Sequence, residues 1–422
     1  MRNRWHRQVR AAVLALTVVL RMEGELLIAA DWPQWRGPHR DGHALEPFPS
    51  ALPTAPTPLW KHSLRHGYAS PVVVSNGVVV MDEADGEETV LLLNPATGAT
   101  HWVASIGPVF TDEFEPGPRC TPVVDGDRVY VQSALGEFRC LDLADGSVRW
   151  RFHFGDYGMR WVTDRASNIG AASRRGNTGS PVIDGDRILV QVGSTNAASI
   201  VAFDKRSGRE LWKSQNDLTC FSSPVVGKLA GRPHFVTATC EGLLALDPAD
   251  GTLLWRVPFK TGANRNVLTP VLTEDTVVFA SHTTGLRATR IRATDTGVTA
   301  DETWLNREVR INLSTPVVVG EHVYGLGARK DFICVHRDSG ALAWSQPGFG
   351  DVTSTLASGN RLLLLTDFGE LCLLVADPAK YQELGRFQAC GKTYSHPAYA
   401  DGVLYVRDPR ELKAYRLAPS TR

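Results

Sequence analysis

A dipeptide, Ser-Pro or Thr-Pro in most copies, recurs along the chain. Aromatic, amide and guanidinium side chains stand three or four residues before the second position of the dipeptide, or close to that place. Side chains of these types orient and stack a bound molecule when they converge on one concave surface, so the pattern favours a binding site. The alternative is that several of them only cap strand ends or form local pairs. The candidate binding residues are Tyr68, Arg119, Asn177, Phe221, Arg265, Asn266, Arg310, Asn312 and Tyr394.

A long connection between Trp150 and Ser180 is a second candidate surface. Long loops within compact folds usually carry function. Because this connection is rich in aromatic and basic residues, we expect it to cap the binding site or to contact a partner. The residues concerned are Tyr157, Arg160, Trp161, Arg174 and Arg175.

The elements that must position these residues are copies of one repeat. Its fullest copy opens at Thr121-Pro122, continues through Asp142 and Gly146, and ends at Trp150. A four-stranded sheet cannot bury both faces until neighbours stack on it, so repeats of this size predict an all-β, eight-bladed β-propeller with four-stranded antiparallel blades. The eight openings, the last two in degenerate form, are at Ser70, Thr121, Ser180, Ser223, Thr269, Thr315, Thr355 and His396.

A tryptophan ends most of the repeats at a fixed distance after an Asp-type residue. We expect these large side chains to pack between neighbouring blades, with the Asp and Gly building the turn before the last strand. The structural tryptophans are Trp60, Trp102, Trp150, Trp212, Trp255 and Trp344.

The two ends of the repeat region are incomplete in complementary ways. The last repeat has three strands and no tryptophan strand, whereas Leu59-Trp60-Lys61 looks like the end of a repeat that has no beginning. We therefore expect residues 57–61 to supply the fourth strand of the last blade, which closes the ring and removes an open sheet edge.

Three segments divide the chain. Residues 1–30 resemble a signal peptide, because four arginines precede an apolar run, Ala11 to Leu20, that is too short to span a bilayer. This predicts export to the periplasm or another extracytoplasmic compartment, without an integral membrane span. Residues 31–56 are predicted to form an extended arm, with a proline-rich part lying over the surface. Residues 57–422 form the propeller, which we expect to be monomeric.

The charge balance narrows the possible partners. The 45 basic and 45 acidic side chains give no net field that would attract nucleic acid.

Two of the seven cysteines could form a disulfide. Cys220 and Cys240 fall nearly opposite each other when the hairpin of the fourth repeat is paired. A disulfide between them is one prediction, and two buried thiols are the alternative.

The Asp-x-x-x-Gly-x-x-x-Trp spacing and the Ser/Thr-Pro openings, over about residues 57–417, resemble the pyrroloquinoline-quinone (PQQ) type of propeller repeat. That repeat is shared by quinoprotein dehydrogenases and by non-enzymatic outer membrane assembly factors of the BamB type. Resemblance to the dehydrogenases implies an adjacent cysteine pair, a calcium site and a catalytic aspartate. No two cysteines are adjacent here, and no acidic stretch has the ligand spacing of a calcium loop.

The resemblance and the missing catalytic parts together predict an exported, non-catalytic module for binding or scaffolding, with no cofactor and no metal site. Its expected partner is an envelope protein or peptide, or a small molecule in the channel. The alternative is a quinone-dependent oxidoreductase acting on alcohols or sugars. In that case PQQ with calcium occupies the channel, and Arg119, Asn177, Asn266 and Asn312 contact the cofactor.

Overall fold

The computed structural model describes residues 31–112, 114–159 and 175–419. Within these ranges, 32 strands form eight antiparallel sheets of four strands each. The first strands of neighbouring sheets contact one another around a central channel, so the sheets are the blades of an eight-bladed β-propeller. The predicted fold class is confirmed.

The strands are numbered in chain order. Blade 1 contains β2 to β5, blades 2 to 7 follow with four strands each, and blade 8 contains β30 to β32 together with β1. The strands are β1 (Trp60–Ser63), β2 (Val72–Val74), β3 (Gly77–Ala84), β4 (Glu87–Leu93), β5 (Thr100–Pro108), β6 (Val123–Asp125), β7 (Arg128–Gln132), β8 (Glu137–Asp142), β9 (Val148–His153), β10 (Val182–Asp184), β11 (Arg187–Ser194), β12 (Ala198–Asp204), β13 (Glu210–Ser214), β14 (Val225–Leu229), β15 (Arg232–Thr239), β16 (Gly242–Leu246), β17 (Leu253–Pro258), β18 (Val271–Thr273), β19 (Thr276–Ser281), β20 (Gly285–Thr294), β21 (Gly297–Asn306), β22 (Val317–Val319), β23 (His322–Leu326), β24 (Asp331–His336), β25 (Leu342–Pro347), β26 (Thr353–Ser358), β27 (Arg361–Thr366), β28 (Glu370–Val375), β29 (Glu383–Gln388), β30 (Ala398–Ala400), β31 (Val403–Arg407) and β32 (Glu411–Arg416).

Two short 3₁₀ helices, Phe154–Tyr157 and Gly262–Asn264, lie in connections between blades. No helix among the described residues has the length and apolar character needed to span a membrane.

The ring is closed by strands from the two ends of the propeller. Strand β1 pairs antiparallel with β32, with Trp60 opposite Ala414 and Ser63 opposite Glu411. This confirms the predicted closure, although the strand begins at Trp60 rather than at residue 57. Pairing of β1 with β32 gives blade 8 its fourth strand and covers the edge that β32 would otherwise expose.

Among the described residues, six tryptophans each join one blade to the following one through the indole N–H. The Trp60 indole N–H donates to the Pro95 carbonyl of blade 1 at 2.9 Å, and an added Cβ on Gly98 would lie 2.5 Å from the ring. Glycine is therefore needed in this turn because the indole packs directly on its backbone. Equivalent indole hydrogen bonds run from Trp102 to Leu143, Trp150 to Lys205, Trp212 to Pro248, Trp304 to Arg337 and Trp344 to Asp377.

The hydroxyl residues at the openings also connect neighbouring blades. The backbone N–H of Thr121 donates to the Ser180 hydroxyl at 3.0 Å, and the N–H of Ser180 donates to the Ser223 hydroxyl at 3.0 Å. The inner strand is the edge of each sheet, so these side chains satisfy N–H groups that no ladder reaches. The same contact joins His396 to Ser70, Ser70 to Thr121, and Thr269 to Thr315.

Candidate functional site

Residues 31–46, the first part of the predicted arm, lie inside the channel. From here on we call these residues the arm. Glu46 accepts hydrogen bonds from the backbone N–H groups of Asp401 and Gly402, both at 2.8 Å, in the turn between β30 and β31. That turn lies at the end of the channel where the inner hairpins turn, opposite to the end where the outer strands connect to the next blade. We call these two ends the hairpin end and the mouth.

The first arm residues extend the wall of the channel. Trp32 exchanges two backbone hydrogen bonds with Val73 of β2, at 2.7 and 2.8 Å, and the Pro33 carbonyl accepts from the Val124 N–H of β6 at 2.8 Å. The indole of Trp32 is 2% exposed. This part of the arm therefore behaves as a short additional strand across blades 1 and 2.

Two arginines of the arm point into the ring of openings. The Arg36 guanidinium donates to the carbonyls of Thr315 and Pro316 at 2.9 and 2.8 Å. The Arg40 guanidinium donates to carbonyls in blades 3 and 4, at 3.0 Å for Ser180 and at 2.8 Å for Pro181 and Pro224. We call these five carbonyl-bearing residues the carbonyl collar.

The two guanidinium groups are buried, yet both remain charged at neutral pH. Arg36 and Arg40 are 1% and 3% exposed. Loss of hydration lowers the pKa of Arg36 to about 10 and that of Arg40 to about 9, both still well above neutrality. The proline residues of the openings have no N–H group of their own, so each offers the channel a carbonyl acceptor without a competing donor.

Trp35 and His396 fill the space beside Arg36. The Trp35 indole N–H donates to the Thr269 hydroxyl at 2.9 Å, and its ring meets the His396 ring edge to face at 5.3 Å. Burial and the nearby Arg36 charge lower the pKa of His396 to about 3. His396 is therefore a neutral packing partner in this channel.

The end of the arm attaches to the remaining blades. The His43 ring Nε2 lies 2.9 Å from the Val318 carbonyl, and the Ala357 N–H donates to the Gly42 carbonyl at 2.9 Å. With these bonds and the Glu46 contacts, the arm contacts all eight blades. Sequence reasoning treated the arm as an extended segment and missed this site. The available signal was the density of Trp, Arg and Gly in residues 32–42.

The mouth carries a separate group of side chains, the mouth cluster, between blades 8, 1 and 2. The Tyr68 and Tyr394 rings are 5.6 Å apart, and Arg119 and Lys392 each lie 5.5 Å from one of these rings. Phe114, the fifth member of the cluster, is 54% exposed. A cavity of about 1020 Å³ adjoins Tyr68, Tyr394, Lys392 and Phe114, so these side chains line a concave surface.

An ion pair fixes part of the mouth cluster. Arg119 donates to Asp112 at 3.0 Å, and less than a tenth of each side chain is exposed. Arg175 lies 3.6 Å from the same carboxylate and 5.1 Å from the Phe114 ring. The predicted loop residue Arg175 thus meets the predicted rim residue Arg119 at a shared aspartate. This contact links the connection after β5 to the connection before β10.

Several other predicted rim residues make local bonds instead. Asn177 donates to the Gln191 carbonyl at 3.2 Å, and Asn266 donates to the Thr239 carbonyl at 2.7 Å; both amides are almost fully buried. Arg265 donates to Asn312 at 2.7 Å.

The remaining candidates are dispersed. Arg310 donates to the backbone carbonyl of Arg307, and Phe221 is partly exposed beside Cys220. Tyr157 packs edge to face on Phe152 and Phe203 of blades 2 and 3, away from the mouth cluster. Arg160, Trp161 and Arg174 lie outside the described residues.

The quinone alternative can be tested on the four residues that it needs. Arg119 is committed to Asp112, Asn312 accepts from Arg265, and the amides of Asn177 and Asn266 hold strand ends. The arm also occupies the channel beside them. These residues do not fit a PQQ site. In the described ranges, no three His, Cys, Asp or Glu side chains are grouped to hold a metal ion.

Two thiols lie close together near the mouth. Cys220 Sγ and Cys240 Sγ are 3.3 Å apart, and both residues are buried. Burial and the neighbouring thiol raise the pKa of Cys220. The predicted disulfide between these residues remains a prediction.

The fold and the filled channel define a closed eight-bladed β-propeller. A model of the family described as "Outer membrane protein assembly factor BamB" matches residues 86–346, so the chain belongs to this family.

Relatives agree with this assignment. Over 266 residues the chain is 26% identical to the outer membrane protein assembly factor BamB of Moranella endobia (strain PCIT). The matched part covers 60% of this chain and 63% of that protein, so the chain spans less than two thirds of its relative.

Two solved structures share the fold. BamB from Moraxella catarrhalis superposes with a TM-score of 0.56 at 16% identity, covering 84% of this chain and 97% of that one. The quinohemoprotein alcohol dehydrogenase ADHIIG from Pseudomonas putida HK5 gives 0.58 at 12% identity, covering 93% and 81%. At these identities the likeness concerns the fold alone.

Proposed function

We propose that this protein is an exported, non-catalytic binding module that takes part in the assembly of outer membrane proteins. It engages a protein partner of the cell envelope through the mouth cluster. The observation that carries this proposal is the state of the mouth, where aromatic and charged side chains surround a cavity of about 1020 Å³.

The mouth cluster has the composition of a protein-binding surface. Aromatic residues and arginine are enriched at interface centres. The rings bury much area with few rotatable bonds, and the planar guanidinium group donates several hydrogen bonds and stacks on rings. Phe114 and Tyr394 are 54% and 37% exposed, so both rings are available to a partner. The buried pair of Arg119 and Asp112 holds the cluster in position before binding, which reduces the ordering cost of association.

A photocrosslinking experiment tests the proposal. A photoreactive amino acid at Phe114 should capture an envelope protein of the outer membrane assembly machinery in intact cells. The matched control is Leu342, which is 50% exposed on the outer strand of blade 6 and should capture nothing specific. Tyr394→Ala should reduce the yield from position 114. Equal products at both positions would contradict a specific mouth surface.

The quinone alternative is separated by reconstitution. Purified protein incubated with PQQ and calcium should not reduce a redox dye with alcohols or sugars. Dye reduction that depends on the quinone would overturn the non-catalytic assignment, whatever the crosslinking shows.

A further inference from the structure

The arm meets the channel as a bound peptide meets a receptor. Its contacts reach every blade, but it pairs with the sheets only through isolated bridges, from Trp32 to Val73 and from His43 to Ala357. Residues 53–55, between the arm and β1, are exposed. The arm is therefore joined to the ring through an accessible linker, and its place in the channel depends on noncovalent contacts.

The carbonyl collar selects guanidinium groups. Arg36 and Arg40 have no carboxylate at ion-pair distance within the described part of the chain, and their guanidinium hydrogen bonds go mainly to main-chain carbonyls. A planar fork with several N–H donors can reach carbonyls on two blades at once, which a single ammonium group does less well.

The backbone of the arm turns the two arginines in different directions. Arg36 and Arg40 both have left-handed backbone angles, with φ of 60° and 59°. Arg36 reaches blade 6, and Arg40 reaches blades 3 and 4. An added Cβ on Gly42 would lie 2.8 Å from Val317 and 3.0 Å from the Arg36 guanidinium, so the chain passes these groups at the closest approach that glycine allows.

We propose that the channel is a binding site for a peptide carrying a tryptophan and two arginines, and that the arm is its exchangeable resident ligand. The indole of Trp35 fills the axis beside His396, and the collar holds the two guanidinium groups. The site is distinct from the mouth cluster, because the collar and the cluster share no residue and the occupant of the collar is part of this chain.

A cleavable linker provides the test. A protease site inserted between Thr54 and Ala55 allows the folded, full-length protein to be cut after purification. We expect the arm fragment to remain bound through gel filtration. The uncut parent controls for the insertion and should melt at the temperature of the unmodified protein. Loss of the arm on cutting, with or without unfolding, would overturn the proposal.

Exchange tests the chemistry of recognition. A fluorescent peptide of residues 31–48 added to the cut protein should replace the resident fragment, as measured by fluorescence polarisation. The matched control peptide carries citrulline at positions 36 and 40, which keeps the shape but removes the charge. We expect it to compete at least ~100-fold less well, because charge-assisted bonds to buried carbonyls are lost. Equal competition, or no exchange with either peptide, would contradict the proposal.

Discussion

Replacement of Trp60 by alanine tests the closure of the ring. Trp60 is 7% exposed, and its indole joins blade 8 to the Pro95 carbonyl and the Gly98 backbone of blade 1. Truncating a buried aromatic side chain to alanine lowers the free energy of unfolding by about 3–5 kcal/mol. The same substitution removes the anchor of β1, a strand of four residues.

The expected change in melting temperature follows from the size of the folded unit. An unfolding entropy of about 2.1 cal/mol/K per residue over the roughly 370 residues that the structure describes gives about 0.8 kcal/mol/K. A loss of 3–5 kcal/mol therefore lowers the melting temperature by about 4–6 °C. Thermal unfolding followed by circular dichroism measures this shift. Hydrogen exchange should show faster opening of β1 and β32 than of the other blades.

The control lies at an internal junction. Trp212 makes the same kind of contact, with its indole on Pro248 and Gly251, but the chain joins those two blades covalently. Trp212→Ala should lower stability by a similar amount without selective exchange in blade 8. An unchanged melting temperature in Trp60→Ala, or equally fast exchange in both variants, would refute the closure reasoning.

Side chains elsewhere in the ring carry three further predictions. Burial raises the pKa of the Glu88 carboxyl from its ordinary value of about 4.5 to about 7. Folding thus favours the protonated form of Glu88. The free energy of unfolding therefore falls by about 3 kcal/mol as the pH rises from about 4.5 to about 7. Glu88→Gln should flatten that slope in urea titrations, whereas Glu87→Gln, at an exposed position, should not; equal slopes would refute the assignment. Cys220 and Cys240 should resist alkylation in denatured exported protein until it is reduced, and ready labelling of both without reduction would exclude the disulfide. Arg40→Ala should lower the free energy of unfolding by about 3 kcal/mol, because three buried carbonyls lose their donor. The exposed Arg410→Ala should change it by less than about 0.5 kcal/mol, and similar values for both would contradict a role for the collar.

The repeat was predictable because its signals are local and recur. Turn residues, opening hydroxyls and the spacing to tryptophan each follow from contacts that every blade makes with its neighbour. Trp304 shows the strength of this constraint. It lies near the end of the long strand β21 in a stretched repeat, yet its indole donates to the Arg337 carbonyl as the indoles of five other blade tryptophans do to theirs.

The binding residues were less predictable because a rim position does not fix where a side chain points. Tyr68 and Tyr394 do meet at the mouth, whereas Asn177 and Asn266 turn inward to carbonyls of β11 and β15. The arm was not predictable at all from periodicity. It occurs once, and its partners lie up to 356 residues away, as between Glu46 and Gly402. Only the folded ring brings those partners together.

The seam between blades 7 and 8 explains the one repeat without a tryptophan. Gly385 of blade 7 and Trp344 of blade 6 occupy equivalent positions in their outer strands. Each pairs with the residue that precedes a β-bulge in the third strand of its blade. An indole there would need a turn between the third and fourth strands of blade 8. No such turn connects β32 to β1, because the two strands come from opposite ends of the propeller. Leu52, just before β1, instead lies against Gly385, where an added Cβ would be 3.2 Å away. The closure by β1 therefore removes the receptor for an indole, and the segment that leads into β1 fills the space.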